Sequence, residues 1–411
     1  MDKPTNRRRF AALSVTMGMA ALLVVAGIVY SPGDAFRASL SGLQIWWQNV
    51  FPALLPPMIL ADLLGASGLL HGLAILAEPL TRGLFRLPGT SGWAIAFGWS
   101  AGIPAGAKET ARLRERGMLQ ESDVDTVLLV SHIPNPFLVI LVVGCGFLNS
   151  AALGWSIALG LWLSAIASGI LWARIAKPHS PKQPASPVRE PGALLRRAMR
   201  AAVDARRDDG RPFGKQMADA VSQSVTTLFA IGGLMMMSAV VISLIQYWIP
   251  GSDLWVAFPG IYEMHLGAFE SSRSALFASA PVYAASLLAA VLAWSGWSGL
   301  LQARAAFGAK DKFPWARVIS GRLLHGAMAL LITYPIARFA TSEPVANLMY
   351  SLWPTRWAAL DAWTSAAPWP SGWERLPDTI AVACVSFVVF ILLALTAALI
   401  RPKKKPRNKD M

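Results

Sequence analysis

Three short stretches of this 411-residue chain place helix-breaking residues beside polar or charged side chains in otherwise apolar surroundings. The first is Ser100-Ala101-Gly102-Ile103-Pro104-Ala105-Gly106-Ala107-Lys108. Gly102 and Pro104 interrupt a helix, and a new one is expected to start near Ala105 and run through Glu109 to Arg116. The free N–H groups of its first turn, at the positive end of the helix dipole, make an anion site. Lys108 adds a full charge there. The competing reading is an ordinary cytoplasmic loop with a solvated Lys108. Ser100, Gly102, Pro104, Gly106 and Lys108 are the candidate binding residues of this stretch.

The second break is Ser131-His132-Ile133-Pro134-Asn135-Pro136-Phe137. Pro134 and Pro136 have no N–H, so the carbonyls of Val130 and His132 lose their helical donors. With Ser131 and Asn135 they make a polar pocket at mid-depth, which in an apolar span marks a solute pathway. The bland alternative is a proline kink satisfied by neighbouring helices, and His132 reads equally well as a satisfied core histidine. The third stretch is Gly260 to Ala268, around Glu263. If Glu263 faces a cavity it can carry a proton or bind a coupling cation; otherwise it belongs to an outer loop. Ser298 and Gln302 could line the same pocket, mirroring Ser100 and Lys108.

No catalytic constellation competes with these. His71, His132, His265 and His325 have no ligand-spaced partner, and His179 lies in a linker. Cys145 and Cys384 both fall in apolar runs, which gives no disulfide framework or metal spacing. A phosphate-binding Gly-rich loop is absent. The expectation is therefore no enzyme, no cofactor and no metal.

The elements that must position these residues cross a membrane. Hydrophobic residues make up 55% of the chain and charged residues only 15%, with a mean hydropathy of +0.47. Between the charge runs lie apolar stretches of about 20 residues, enough to cross a hydrocarbon core. The candidate crossings are Phe10–Tyr30, Val50–Leu70, Val124–Phe147, Ala151–Ala173, Val225–Ile249, Ala280–Leu301, Val318–Phe339 and Thr379–Ile400. The net charge of +14 sits at their junctions, in Arg7–Arg9, Arg174–Lys215 and Arg401–Lys409. The positive-inside rule accounts for this without a nucleic-acid partner. An even number of crossings keeps both termini and the basic linker inside.

The segment Thr90–Ala107 is apolar but has basic flanks on both sides, so a re-entrant hairpin is expected there. The Trp-rich stretch Thr341–Arg375 suits an interfacial belt, with a ligand surface as the alternative. Gly98-Trp99-Ser100 recurs as Gly296-Trp297-Ser298, an echo that suggests two related halves of the kind found in secondary transporters. One conflict follows. Strict inversion would put the loop after Trp297 outside, whereas Arg304, Lys310, Lys312, Arg317 and Arg322 place it inside.

The expected fold is all-α: a polytopic transmembrane helix bundle of about eight spans, with re-entrant and broken helices and two related halves. An N-terminal helix occupies residues 1–35 and the first half 36–173. A basic linker follows at 174–216, the second half at 217–340, and the aromatic loop, last helix and basic tail at 341–411.

At these motifs the sequence resembles the sporulation integral membrane protein YlbJ family, in the nucleoside-recognition Gate group. The resemblance runs from about Gln44 to Phe339. It rests on Phe51-Pro52-Ala53-Leu54-Leu55-Pro56, Glu78-Pro79-Leu80, Phe85-Arg86-Leu87-Pro88-Gly89 and the Ser100–Lys108 stretch. It continues at Asn135-Pro136-Phe137, Glu263-Met264-His265-Leu266-Gly267 and Trp297-Ser298-Gly299. The resemblance implies a role in spore formation, moving dipicolinic acid across the outer forespore membrane. Ala101, Ile103 and His265 depart from the family pattern, which puts the substrate in more doubt than the fold.

Three functions are carried forward. The first is a transporter of a small organic anion, in a bacterial inner membrane or the outer forespore membrane. It would work with a coupling ion, proton or sodium, and with a homo-oligomer as one arrangement. The second is a nucleoside transporter. The third is a non-transporting scaffold for spore-envelope formation that recruits enzymes through the linker.

Overall fold

The computed structural model describes residues 4–175, 193–249, 251, 258–308 and 311–342. Among them every regular element is helical. The expected Thr379–Ile400 crossing, the Thr341–Arg375 belt, Cys384, His179 and the basic tail lie outside the described residues.

Helix α1 (Pro4–Tyr30) precedes a long crossing made of α2 (Pro32–Ile45), a π-helical turn (Trp46–Val50) and α3 (Phe51–Ala66). Pro52, Pro56 and Pro57 each withhold a donor from α3, and a wider π turn sits immediately before them. The crossing therefore spans Pro32–Ala66 and not Val50–Leu70. It ends at Gly68, whose φ of 83° reverses the chain, and α4 (Leu69–Leu84) follows.

The hairpin read from the Thr90–Ala107 stretch is present. Helix α5 (Ser91–Ala101) runs in and α6 (Ala105–Glu115) runs back. Thr90 Oγ1 donates to the Met118 carbonyl at 3.3 Å, so both ends open on one side. Next comes a broken crossing: α7 (Val124–Ser131), an irregular stretch, then a π-helical segment (Leu138–Phe147). Helix α8 (Ala151–Ile175) returns, and α9 (Ala193–Asp209) leads into α10 (Phe213–Trp248).

The second half repeats this order. A short hairpin consists of α11 (Pro259–Tyr262) and α12 (Met264–Ser272), and α13 (Ala275–Ser279) links it onward. The expected Ala280–Leu301 span is two helices, α14 (Pro281–Trp294) and α15 (Gly296–Ala305). They meet at Ser295 and Gly296, both at φ 69°. Helix α16 (Trp315–Ala340) closes the half.

Crossing helix, hairpin, broken helix, crossing helix is thus the plan of both halves, and the directions are opposed. Helices α3 and α10 are antiparallel, since Trp46 Nε1 bonds the Leu228 carbonyl and Ser224 Oγ reaches Asp62. Helix α16 runs alongside α7, with Arg317 on Asp125 and Arg322 on Leu128. It runs against α14, with Arg322 on Ala293.

This pairing corrects the tripeptide echo. Gly98-Trp99-Ser100 lies on a hairpin limb, but Gly296-Trp297-Ser298 opens the second limb of a broken helix. With hairpin matched to hairpin, the loop after α15 lies on the same side as the start of α7. Inversion and the basic residues Arg304 and Arg317 then agree on the inside.

Five helices, counted among the described residues, are long and apolar enough to cross a membrane. The exposed side chains of Leu22, Phe229 and Leu331 suit contact with lipid chains. The molecule is an all-α membrane bundle.

Candidate functional site

Both hairpin tips and both helix breaks converge on the centre. Gly102, at the tip of the first hairpin, has φ 78° and ψ −152°, a conformation open essentially to glycine alone. A Cβ there would lie 2.8 Å from the backbone N and Cβ of Asn135. Gly98 and Gly106, one on each limb, leave room for the Ser131 carbonyl between them. In the second half, Gly296 sits against the Tyr262 carbonyl, with the Glu263 Cα next to it. Each break is therefore clamped by its own hairpin, and small residues make the close approach feasible.

Some of the polar groups freed at the first break are taken up locally, while His132 Nδ1 and, at the second break, Ser295 Oγ have no partner among the described residues. Val130, whose carbonyl faces the missing N–H of Pro134, accepts from Trp99 Nε1 at 2.9 Å. Asn135 Nδ2 donates to the Ala101 carbonyl at 3.2 Å, and its Oδ1 accepts from the Leu138 N–H at 2.7 Å. Asn135 thus caps the outgoing π-helical segment and pins the hairpin tip. The two breaks also touch each other, through His132 Nε2 and the Gly299 carbonyl at 3.1 Å.

Between these elements lies a cavity of about 10 Å³. Ile103 and Met264-His265 come from the two tips, and Pro134, Asn135 and Leu138 from the first break. Leu54, Met58, Ile231 and Gln302 complete the lining. That volume takes a single water molecule, so the site is closed in this conformation.

The expected binding residues divide accordingly. Asn135 and Gln302 line the cavity. Gly102 and Pro104 flank Ile103 at the hairpin tip, and Gly106 lies on the returning limb against Ser131; none of the three lines the cavity. Ser100 lies one turn back, with its Oγ on the Ala96 carbonyl at 2.7 Å. Ser131 is buried against Thr110, their hydroxyls 3.4 Å apart. Ser298 is buried on α15. Lys108 stands in the first turn of α6, as expected, but its side chain is exposed and outside the cavity lining.

Glu263 is 2% exposed, so it is a buried group and not part of an outer loop. Its Oε2 caps α12 by accepting the Leu266 N–H at 2.7 Å. Its Oε1 meets His265 Nδ1 at 2.5 Å. His265 thereby gains the partner that histidine spacing alone did not offer, and its ring lines the cavity.

Two features escaped sequence reading. Arg322, counted above with the basic residues of the preceding loop although the expected crossing Val318–Phe339 contains it, is 1% exposed inside α16. Its guanidinium donates to the Leu128 carbonyl at 2.6 Å and the Ala293 carbonyl at 3.3 Å, and NH1 lies 3.4 Å from His325 Nδ1. Leu128 and Ala293 lie near the C-terminal ends of α7 and α14, where helix dipoles are negative. One cation thus ties the two broken helices together. Its signal was a lone arginine flanked by apolar turns, Val318-Ile319 before it and Leu323-Leu324 after it. The other is Asp125, buried at the start of α7 and bonded by Arg317 Nε at 3.0 Å and Trp172 Nε1 at 2.7 Å.

Comparison with known proteins gives one curated relative. The chain is 34% identical over 222 residues to "Sporulation integral membrane protein YlbJ" of Bacillus subtilis (strain 168). The match covers 53% of this chain and 53% of the relative, so the chain spans about half the length of the protein it matches. This similarity supports the YlbJ family read from the motifs. No family model and no solved structure matches the chain.

Proposed function

We propose that this chain is a secondary transporter of a small organic solute, working by alternating access, with dipicolinic acid as the first candidate cargo. The observation that carries this reading is the closed central cavity, built where two opposed hairpin tips meet two broken helices. Pockets for small molecules run to hundreds of cubic ångströms, so a solute reaches this one only when the halves move. Inverted repeats with discontinuous helices provide such movement around a fixed site. The dipicolinate candidate rests on the family resemblance and on the relative's printed role in sporulation. By the same reading, the chain acts in the membrane around a developing spore.

Asn135, Gln302 and His265 offer hydrogen bonds to the cargo. The Glu263–His265 pair is the candidate for coupling, and its chemistry favours a proton over sodium. Both carboxylate oxygens already accept N–H groups, whereas sodium would need several free oxygens. A proton taken up by the pair makes the imidazole cationic beside the cavity, which favours an anionic cargo. A nucleoside is the second reading. It is favoured by the lining itself, which presents two carboxamides and an imidazole and no permanent cation.

The test is uptake into proteoliposomes of labelled dipicolinate and, separately, labelled uridine, with inward proton and sodium gradients. Dipicolinate uptake driven by the proton gradient, lost in Asn135→Ala and uncoupled in Glu263→Gln, is the expected result. Uridine uptake without dipicolinate uptake selects the nucleoside reading. Neither, from folded and inserted protein, overturns transport and leaves the scaffold reading, which linker deletion then tests.

A further inference from the structure

The helix that follows the basic linker carries three faces, not two. Residues Ala193–Asp209 read ALLRRAMRAAVDARRDD, and at 100° per residue they form three faces, with exposed Arg206 falling within the second near its C-terminal end, 4.0 Å from Asp209. Leu194 and Ala198 are buried against Leu76 of α4. The two helices run antiparallel, with the Ala202 backbone over Gly68 and the Ala198 backbone over Gly72. Arg197 locks the pair through Glu78 at 2.9 Å, and Glu78 also holds Arg82 at 2.7 Å. That face is fully used.

The second face is Leu195, Met199 and Val203, at i, i+4 and i+8. These are 42%, 63% and 63% exposed, and nothing in the chain's described residues covers them. The third face, next to the second, carries Arg196, Arg200 and Arg207, all exposed. Asp204 and Asp208 fall beyond the arginine row, away from the apolar stripe. An apolar stripe bordered by arginines is the pattern of a helix that lies in a bilayer surface.

The position of α9 agrees. Only Gly210-Arg211-Pro212 separates it from the membrane-crossing α10. Arg211 clasps that turn, reaching Asp209 on one side and Asp219 on the other, at 2.6 Å each. The helix is thus held at the end of the bundle where α8 leaves and α10 enters.

We propose that α9 is a surface helix that binds anionic phospholipid. Leu195, Met199 and Val203 enter the acyl boundary, and Arg196, Arg200 and Arg207 engage the headgroup phosphates. Charge complementarity selects this occupant over a neutral lipid or a second copy of the chain, whose own α9 would bring a like-charged row. Because α4 packs on both α9 and the hairpin limb α5, the anchored helix also braces the cytoplasmic base of the first hairpin.

The experiment compares the full chain with Arg196→Gln/Arg200→Gln/Arg207→Gln and with Met199→Ser/Val203→Ser, all purified in mild detergent. Native mass spectrometry reads the retention of added phosphatidylglycerol against phosphatidylcholine. Each basic residue near an anionic surface strengthens binding roughly fivefold, so the triple substitution should weaken phosphatidylglycerol binding on the order of a hundredfold. Hydrogen exchange over 193–209 should slow in phosphatidylglycerol nanodiscs relative to phosphatidylcholine, and the serine pair should abolish the difference. Equal retention of both lipids by the native chain, or by native chain and triple variant alike, overturns the proposal. A concentration-dependent dimer lost in the serine pair, without lipid preference, assigns the stripe to a second copy and also overturns it.

Discussion

Replacing Gly102 by alanine tests the central claim that the first hairpin is seated on the first helix break. Two costs add at this position. The backbone at φ 78° and ψ −152° lies in a region where a Cβ costs about 1–3 kcal/mol. The new methyl would also stand 2.8 Å from both N and Cβ of Asn135, about 0.6 Å inside ordinary contact. Overpacking of this kind costs about 1–3 kcal/mol, for a total of about 2–6 kcal/mol. Neither contact atom is the far end of a flexible side chain, so relief requires the tip or the break to move. Either movement disturbs the Asn135 bonds to Ala101 and Leu138.

Two other glycines separate the contributions. Gly117 has φ 68° with nothing within 4 Å of its Cβ position, so Gly117→Ala carries the backbone cost alone. Gly233 is helical with open space around it, and Gly233→Ala should be neutral or stabilising by up to about 1 kcal/mol. Detergent-solubilised protein, unfolded thermally and followed by size-exclusion fluorescence, should rank stability as Gly233→Ala, Gly117→Ala, Gly102→Ala. A Gly102→Ala protein as stable as Gly117→Ala would refute the seating of the hairpin on Asn135.

Other perturbations read other contacts. Arg322→Lys keeps the charge but cannot span both the Leu128 and Ala293 carbonyls. At least one charged hydrogen bond is lost, for a destabilisation of about 1.5–3 kcal/mol in the same unfolding assay. Trp99→Phe strands the Val130 carbonyl and should cost about 1–3 kcal/mol, with unchanged stability arguing that the break finds its donor elsewhere. The turn between α9 and α10 should respond to acid. Hydrogen bonds from Arg211 and Gln216 hold the Asp209 carboxyl well below the usual carboxylate range. The stabilisation is therefore complete above the unfolded value near 4 and is lost progressively as pH falls from there toward the depressed folded value. The protection of amides over 206–219, taken relative to the intrinsic exchange rate at each pH, should fall at pH 3 relative to pH 6 in the native chain. In Asp209→Asn it should be low at both.

The amino-acid sequence alone determined the membrane class, because apolar runs long enough to span and basic residues at their junctions are local properties. The first hairpin and the first break were also legible, since glycine and proline disrupt helices wherever they occur. Asn135 and Gln302, taken from separate stretches, both line the central cavity. Only the tertiary structure decided how the halves correspond. The Gly-Trp-Ser echo paired a hairpin limb with a broken helix, and no local signal distinguishes those settings. The break at Ser295-Gly296 was hidden for a related reason: two small residues in an apolar run bend the chain only when a neighbour such as Glu263 occupies the gap.

Side-chain direction was likewise out of reach. Lys108 sits in the predicted turn of α6, but its side chain is exposed and takes no part in the cavity lining. Arg322 looked like a loop charge until helices α7 and α14 were seen to end beside it. A buried cation is tolerable only where carbonyls converge on it, and that convergence joins residues 128, 293 and 322. Such long-range meetings arise from packing two inverted halves together, which a pattern read along one strand of sequence does not contain.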